Sequence, residues 1–123
     1  MGPVVAVSGT TAARPDGGVV GEGDLAAQAR VAVGRVVEAL AALGATPADV
    51  LQTRIYVTDA EAWEAVADAH REAFGAAPPA ATMVEVRRLV DRRLLVEVEA
   101  LAVVPRPAPG AVAPRGDGSA DYA

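Results

Sequence analysis

The stretch from Leu94 to Val104 limits the fold most, because as a strand it is largely apolar on both sides. Side chains alternate across a strand, so Leu94, Val96, Val98, Ala100 and Ala102 share one face. Leu95, Glu97, Glu99, Leu101 and Val103 share the other. A strand apolar on both faces is expected to be covered on both. Helices of the same chain can cover one side. In a chain of 123 residues, which is room for one domain, little else is left to cover the second. A second copy of the chain is the natural cover, so the strand predicts a homo-oligomer.

The helices are legible from their periodicity. Leu25, Ala29, Ala32, Val33, Val36, Leu40 and Leu43 recur at helical spacing. Asp24 stands where it caps the first turn, and Gly44 where a helix ends. Gln28, Arg35 and Glu38 lie off the apolar stripe. A second helix is expected to open at Thr58 and Glu61 in capping-box spacing. Its apolar face is Trp63, Val66, Ala67, His70 and Phe74, and it ends at Gly75. Between the helices, Leu51, Thr53, Ile55 and Val57 alternate with Gln52, Arg54 and Tyr56 as a strand. Val4 to Ser8 is a further strand. Pro15-Asp16-Gly17-Gly18 is a turn leading to a brief strand at Val19-Val20. Thr82 to Leu89 and Leu94 to Val104 look like the arms of a hairpin turning near Val90-Asp91-Arg92. Beyond Val104 the sequence turns to Pro, Gly and Ala without periodicity, and residues 105–123 are expected to form a disordered tail.

Composition removes several chemistries. There is no Cys, and all 11 basic residues are Arg, so neither a thiol nucleophile nor a lysine Schiff base is available. One His and two Ser leave little for a metal centre or a Ser–His–Asp arrangement, and no metal or cofactor is expected. A net charge of −5 disfavours a phosphate backbone as partner, so no nucleic acid is expected. No run approaches the ~20 apolar residues of a membrane span, and the opening residues do not resemble a signal peptide. No membrane partner is expected, and a cytoplasmic location is.

Three runs resemble, in order, the landmarks of RidA-like (YjgF-type) proteins. They are Val7-Ser8-Gly9-Thr10, Pro79-Ala80-Ala81-Thr82-Met83-Val84-Glu85-Val86 and Leu95-Val96-Glu97-Val98-Glu99-Ala100. Gln28-Ala29-Arg30 and Tyr56-Val57-Thr58-Asp59 fit between them. The resemblance covers residues 4–104 and defines a domain over 1–104, without the strand that opens the family's fold ahead of Val4. It implies an α+β, chorismate-mutase-like fold: a mixed sheet with two helices on one face, a homotrimer, and small-molecule clefts between subunits. It also implies hydrolysis of imines and enamines, with an arginine holding the substrate carboxylate. That place is Ala81 here, which cannot form a bidentate carboxylate pair, so the chain looks like an arginine-lacking branch of the family. Ser8, Gly9 and Thr82 match ligand-contacting positions, and Glu97 matches the carboxylate that positions water.

Each of these residues also has a plainer reading. Glu97 is a general base or water-orienting group, or else one of two strand glutamates paired with an arginine. Ser8-Gly9 presents backbone N–H to an anion, or is a bend at a strand end. Thr82 donates to ligand or is simply β-prone. His70 is expected to be a hydrogen-bonded, partly buried histidine. Arg54 is expected to pair with Glu97 or Glu99, although it is also a candidate for the missing cation. Arg87, Arg88, Arg92 and Arg93 are expected to be a solvated loop tip. Three functions compete: a hydrolase of an imine, enamine or related carbonyl compound, a non-catalytic ligand-binding or regulatory trimer, and, distantly, a ribonuclease.

Overall fold

A computed structural model describes residues 2–105 of the chain. Helix α1, Leu25–Ala42, forms where its periodicity predicts. Asp24 caps it, its side chain accepting from the Ala27 N–H at 3.1 Å. The end is a Schellman turn: Ala45 N–H donates to the Leu40 carbonyl at 2.8 Å and Gly44 N–H to Ala41 at 3.1 Å. Gly44 sits at φ +83, a conformation that costs glycine little. Ala29, Ala32, Val33, Val36 and Leu40 are the buried stripe.

A 3₁₀ turn, Pro47–Asp49, leads into the sheet, with Pro at the head of the turn. The strands are β1 (Val4–Thr10), β2 (Val50–Val57), β3 (Ala80–Glu85) and β4 (Val96–Val103), in spatial order β1-β4-β2-β3. β4 runs antiparallel to both β1 and β2, and β3 runs parallel to β2. A parallel neighbour needs a crossover, and helix α2, Trp63–Phe74, supplies it. β3 and β4 are therefore not a hairpin. β2 lies between them, and residues 86–95 form a long connection instead of a tight turn. The returning strand at Val19-Val20 likewise reduces to a single bridge, Ala13 to Val19. Arg35 stitches that segment to α1, donating to the Thr11 and Ala13 carbonyls at 2.6 Å each.

Both helices pack on one sheet face, so the α+β architecture follows the expectation. The core there includes Val36, Leu40, Ile55, Val57, Val66, Phe74, Val96 and Val98. The head of α2 differs from the sequence reading. Asp59, not Thr58, caps a 3₁₀ turn at Ala60–Ala62, accepting from the Glu61 N–H at 3.0 Å. Trp63 is 50% exposed, because it sits in the first turn of α2, before the helix settles onto the sheet.

Gln28, placed off the apolar stripe by periodicity, is fully buried. Its amide donates to the Gly21 and Arg93 carbonyls at 3.2 and 3.0 Å, and its oxygen accepts from Leu95 N–H at 2.8 Å. Those bonds satisfy the buried amide and pin the 86–95 connection, which closes a small second core of Ala12, Val19, Leu89 and Leu94. Arg87, Arg88, Arg92 and Arg93 are all exposed, as expected of a solvated tip, but Arg93 is also bonded within it. It holds Asp91 at 2.7 Å and reaches the Gly17 carbonyl at 2.7 Å. The Arg93 guanidinium and backbone N–H beside it bring the Asp91 carboxyl down to about 2. Arg88 donates to the carbonyls of Leu89 and Val90. Residues 106–123, nearly all of the expected tail, lie outside the described residues.

Candidate functional site

The alternation of β4 sends Val96, Val98, Ala100 and Ala102 into the core and leaves Glu97, Glu99, Leu101 and Val103 half-buried on the opposite face. Among the described residues no helix covers that second face. The register places Tyr56 beside Glu97 and Arg54 beside Glu99, so the polar residues gather at one end. Tyr56 donates to Glu99 Oε1 at 2.8 Å. Arg54 approaches the same oxygen at 3.9 Å, and Arg54 therefore pairs with Glu99, one of its two expected partners. The Glu99 carboxylate beside the phenol, with some desolvation, pushes the Tyr56 hydroxyl above its ordinary value.

Along β1 the pairing slips between Val7 and Thr10, so Ser8 and Gly9 form an irregular step against β4. Such bulges re-aim backbone groups near sites. Gly9 has a steric reason here. A Cβ at this position would overlap Glu97 Oε1 and lie 2.8 Å from its Cδ. The Glu97 carboxylate thus occupies the space that a larger residue at position 9 would fill. Ser8 is exposed next to it, and its carbonyl accepts from the Thr10 hydroxyl at 2.8 Å.

Ala81 and Thr82 lie elsewhere. They belong to the far edge strand β3, paired with Thr53 and Arg54 of β2, and both are exposed. With β2 intervening, β3 and β4 stand about 10 Å apart at ordinary strand spacing. Within one chain the expected site residues therefore form two groups: Ser8, Gly9 and Glu97 on the adjacent strands β1 and β4, and Ala81 and Thr82 on the far edge strand β3.

The second group borders a groove of about 440 Å³ between α2 and β3, lined by Ile55, Ala67, Phe74 and Met83 with His70 and Arg71. His70 Nε2 lies 2.8 Å from the hydroxyl of the fully buried Thr53, and its ring packs on Phe74 with centroids 4.8 Å apart. The expectation of a hydrogen-bonded, partly buried histidine holds. Burial pushes its pKa below the ordinary imidazole value. Thr53 was not singled out from the sequence. Its signal was available, since it is the one polar side chain at an inward position of an alternating strand. Arg71, beside Ala81 on the groove, is bound to Asp68 at 2.9 Å, with both side chains mostly exposed. Among the described residues no three His, Cys, Asp or Glu side chains converge as a metal site. No helix there is long and apolar enough to cross a membrane.

A family profile described as Endoribonuclease L-PSP matches residues 1–104. A Mycobacterium tuberculosis structure from the YjgF/YER057c/UK114 family is 48% identical, with a TM-score of 0.73 over 85% of this chain and 81% of that one. A Yersinia pestis structure from the conserved Rid family is 34% identical, with a TM-score of 0.75 over 84% and 80%. The YjgF gene product of Escherichia coli is 31% identical, with a TM-score of 0.72 over 84% and 82%.

Proposed function

This chain belongs to the YjgF/RidA family, the one described as Endoribonuclease L-PSP, and from that premise we propose that it hydrolyses an imine, enamine or related carbonyl intermediate without the usual carboxylate-binding arginine. The observation that carries this reading is the Glu97 carboxylate over Gly9 at the β1 step, on the half-buried outer face of the sheet. Water oriented by Glu97 adds its oxygen to the imine carbon, the C=N bond breaks, and the products are a carbonyl compound and ammonia. Ser8 and Gly9 hold the developing oxygen. A carboxylate within reach of a reacting water contributes roughly 10²–10⁴-fold as a general base.

The two separated groups of residues support a cleft shared between copies. In this reading the chain is a homotrimer, and Ser8, Gly9 and Glu97 of one copy meet Ala81, Thr82 and the α2–β3 groove of the next. The apolar outer-face residues Leu101 and Val103, left half-buried by the single chain, are what the trimer covers. Ala81 supports an arginine-lacking branch of the family with an uncharged substrate. Arg54 and Arg71 are each already paired with a carboxylate, which supports an uncharged substrate.

The same Ala81 favours a second reading, a trimer that binds ligand without turning it over. The test is ammonia release from N-unsubstituted imines with and without a carboxylate, comparing wild type with Glu97→Gln. Turnover of the uncharged imines, reduced about 100-fold by Glu97→Gln, is the expected result. Silence across the panel from a folded trimer would establish the binding reading. Ribonuclease activity has the least support, because the one histidine faces a threonine hydroxyl and there is no lysine.

A further inference from the structure

The pair of Thr53 and His70 decides more than packing. Thr53 is fully buried, and its hydroxyl carries one hydrogen that needs an acceptor. Among the described residues its side-chain partner is His70 Nε2, at 2.8 Å. The hydroxyl therefore donates and Nε2 accepts, which leaves the proton of a neutral imidazole on Nδ1. Burial favours that neutral ring. No buried side-chain nitrogen or oxygen among the described residues lacks a partner. Nδ1 has no protein partner there, so it is not sealed from solvent, and the ring lines the groove. Phe74 packs against the ring, and the orientation is held from two directions.

We infer that His70 is a substrate-binding residue: fixed by Thr53 as the Nδ1–H tautomer, it donates a hydrogen bond to the carbonyl oxygen or imine nitrogen of a small uncharged compound. Thr53 is the positioning residue behind it. The rest of the groove suits such a ligand. Ile55, Ala67, Phe74 and Met83 offer an apolar wall. Among the described lining residues Arg71 is the one arginine, and its charge is offset by Asp68. The inference rests on the reading that this groove is the substrate half of the shared cleft.

The chain has one histidine, so imidazole nitrogen NMR on the full-length protein reports His70 without ambiguity. At pH 7 the expected spectrum shows Nδ1 protonated and Nε2 bare; the reverse tautomer, or a mixture, would overturn the assignment. Cyclohexanone serves as the neutral probe and cyclohexanecarboxylate as its charged match. Cyclohexanone is expected to shift the Nδ1–H resonance saturably, binding at least ten-fold tighter than the carboxylate. His70→Phe is expected to weaken it about ten-fold, the scale of one hydrogen bond, and His70→Gln, which restores an N–H donor, to recover most of that loss. Thr53→Val keeps the histidine but is expected to mix its tautomers and weaken binding. Unchanged affinity in folded His70→Phe, or a preference for the carboxylate, would refute the inference. Ketone binding at His70 without imine turnover supports it while removing the hydrolase reading. Turnover sensitive to Glu97→Gln, with no ketone response at His70, does the opposite.

Discussion

The two faces of β4 have opposite roles. Toward the helices, Val96, Val98, Ala100 and Ala102 are buried among α1, β1 and β2. On the other side, Glu97, Glu99, Leu101 and Val103 keep partial contact with solvent and carry all of the strand's ionisable groups. The inner face closes within one chain and stabilises the fold. In the proposed trimer a second surface lies against the outer face; in the single chain its carboxylates keep partial contact with solvent and escape the full cost of burying an unpaired charge. On the proposed reading one strand has two jobs, stability on its inner face and assembly and chemistry on its outer one.

The largest expected effect breaks the inner face. Val98→Asp places an unpaired carboxylate in the core and is expected to cost more than about 4 kcal/mol, leaving no cooperative thermal transition by circular dichroism. Its outer counterpart, Leu101→Asp, is expected to keep the helical signal while light scattering shows the proposed trimer dispersed. Equal damage from both variants would end the distinction.

Next is Gln28→Leu, which strips the side-chain hydrogen bonds from the 86–95 connection. The orphaned Gly21 and Arg93 carbonyls and Leu95 N–H are expected to cost about 2 kcal/mol, read from a urea titration, because this loop stabilises the inner side of the molecule. Gly9→Ala tests the outer side. The added methyl meets the movable end of Glu97 rather than backbone. The melting temperature is therefore expected to stay within a few degrees of wild type, while ammonia release falls by about ten-fold or more, the scale of a displaced carboxylate. A fully active Gly9→Ala would mean that the position of Glu97 over Gly9 is irrelevant to function.

The smallest effect is on pH dependence. Burial lowers the His70 pKa from the ordinary 6.5, so the unfolded chain takes up its proton first as pH falls. The stabilising contribution is complete above about pH 6.5 and is lost as pH drops through the folded value. The urea midpoint of wild type is expected to fall more between pH 7 and 5 than that of His70→Phe. Parallel curves would show that His70 titrates alike in both states.

Short-range signals were legible in the residues. Asp24 and Gly44 mark the ends of α1 because caps and Schellman turns join residues a few positions apart. The alternation from Val96 to Val103 named both faces of β4, and the family landmarks picked out Gly9 and Glu97, which the bulge brings together. Three readings gave way for one reason. Gln28 reads as lying off the apolar stripe until the 86–95 connection arrives from 65 residues away and buries it. Trp63 looked like core because helical spacing does not say where a helix first touches its sheet. Thr82 to Leu89 and the last strand looked like a hairpin because adjacent β-prone runs usually pair.

The sequence by itself determined both helices, the caps of α1, the two-faced last strand, and the residue types present at a site without lysine or cysteine. Only the tertiary structure decided that β2 stands between β3 and β4, that Ala81 and Thr82 lie apart from Glu97, and that Thr53 sets the histidine. The first group depends on contacts a few residues apart, which local spacing encodes. The second depends on where a helical crossover and a long connection bring distant segments, and that follows from packing the whole chain at once.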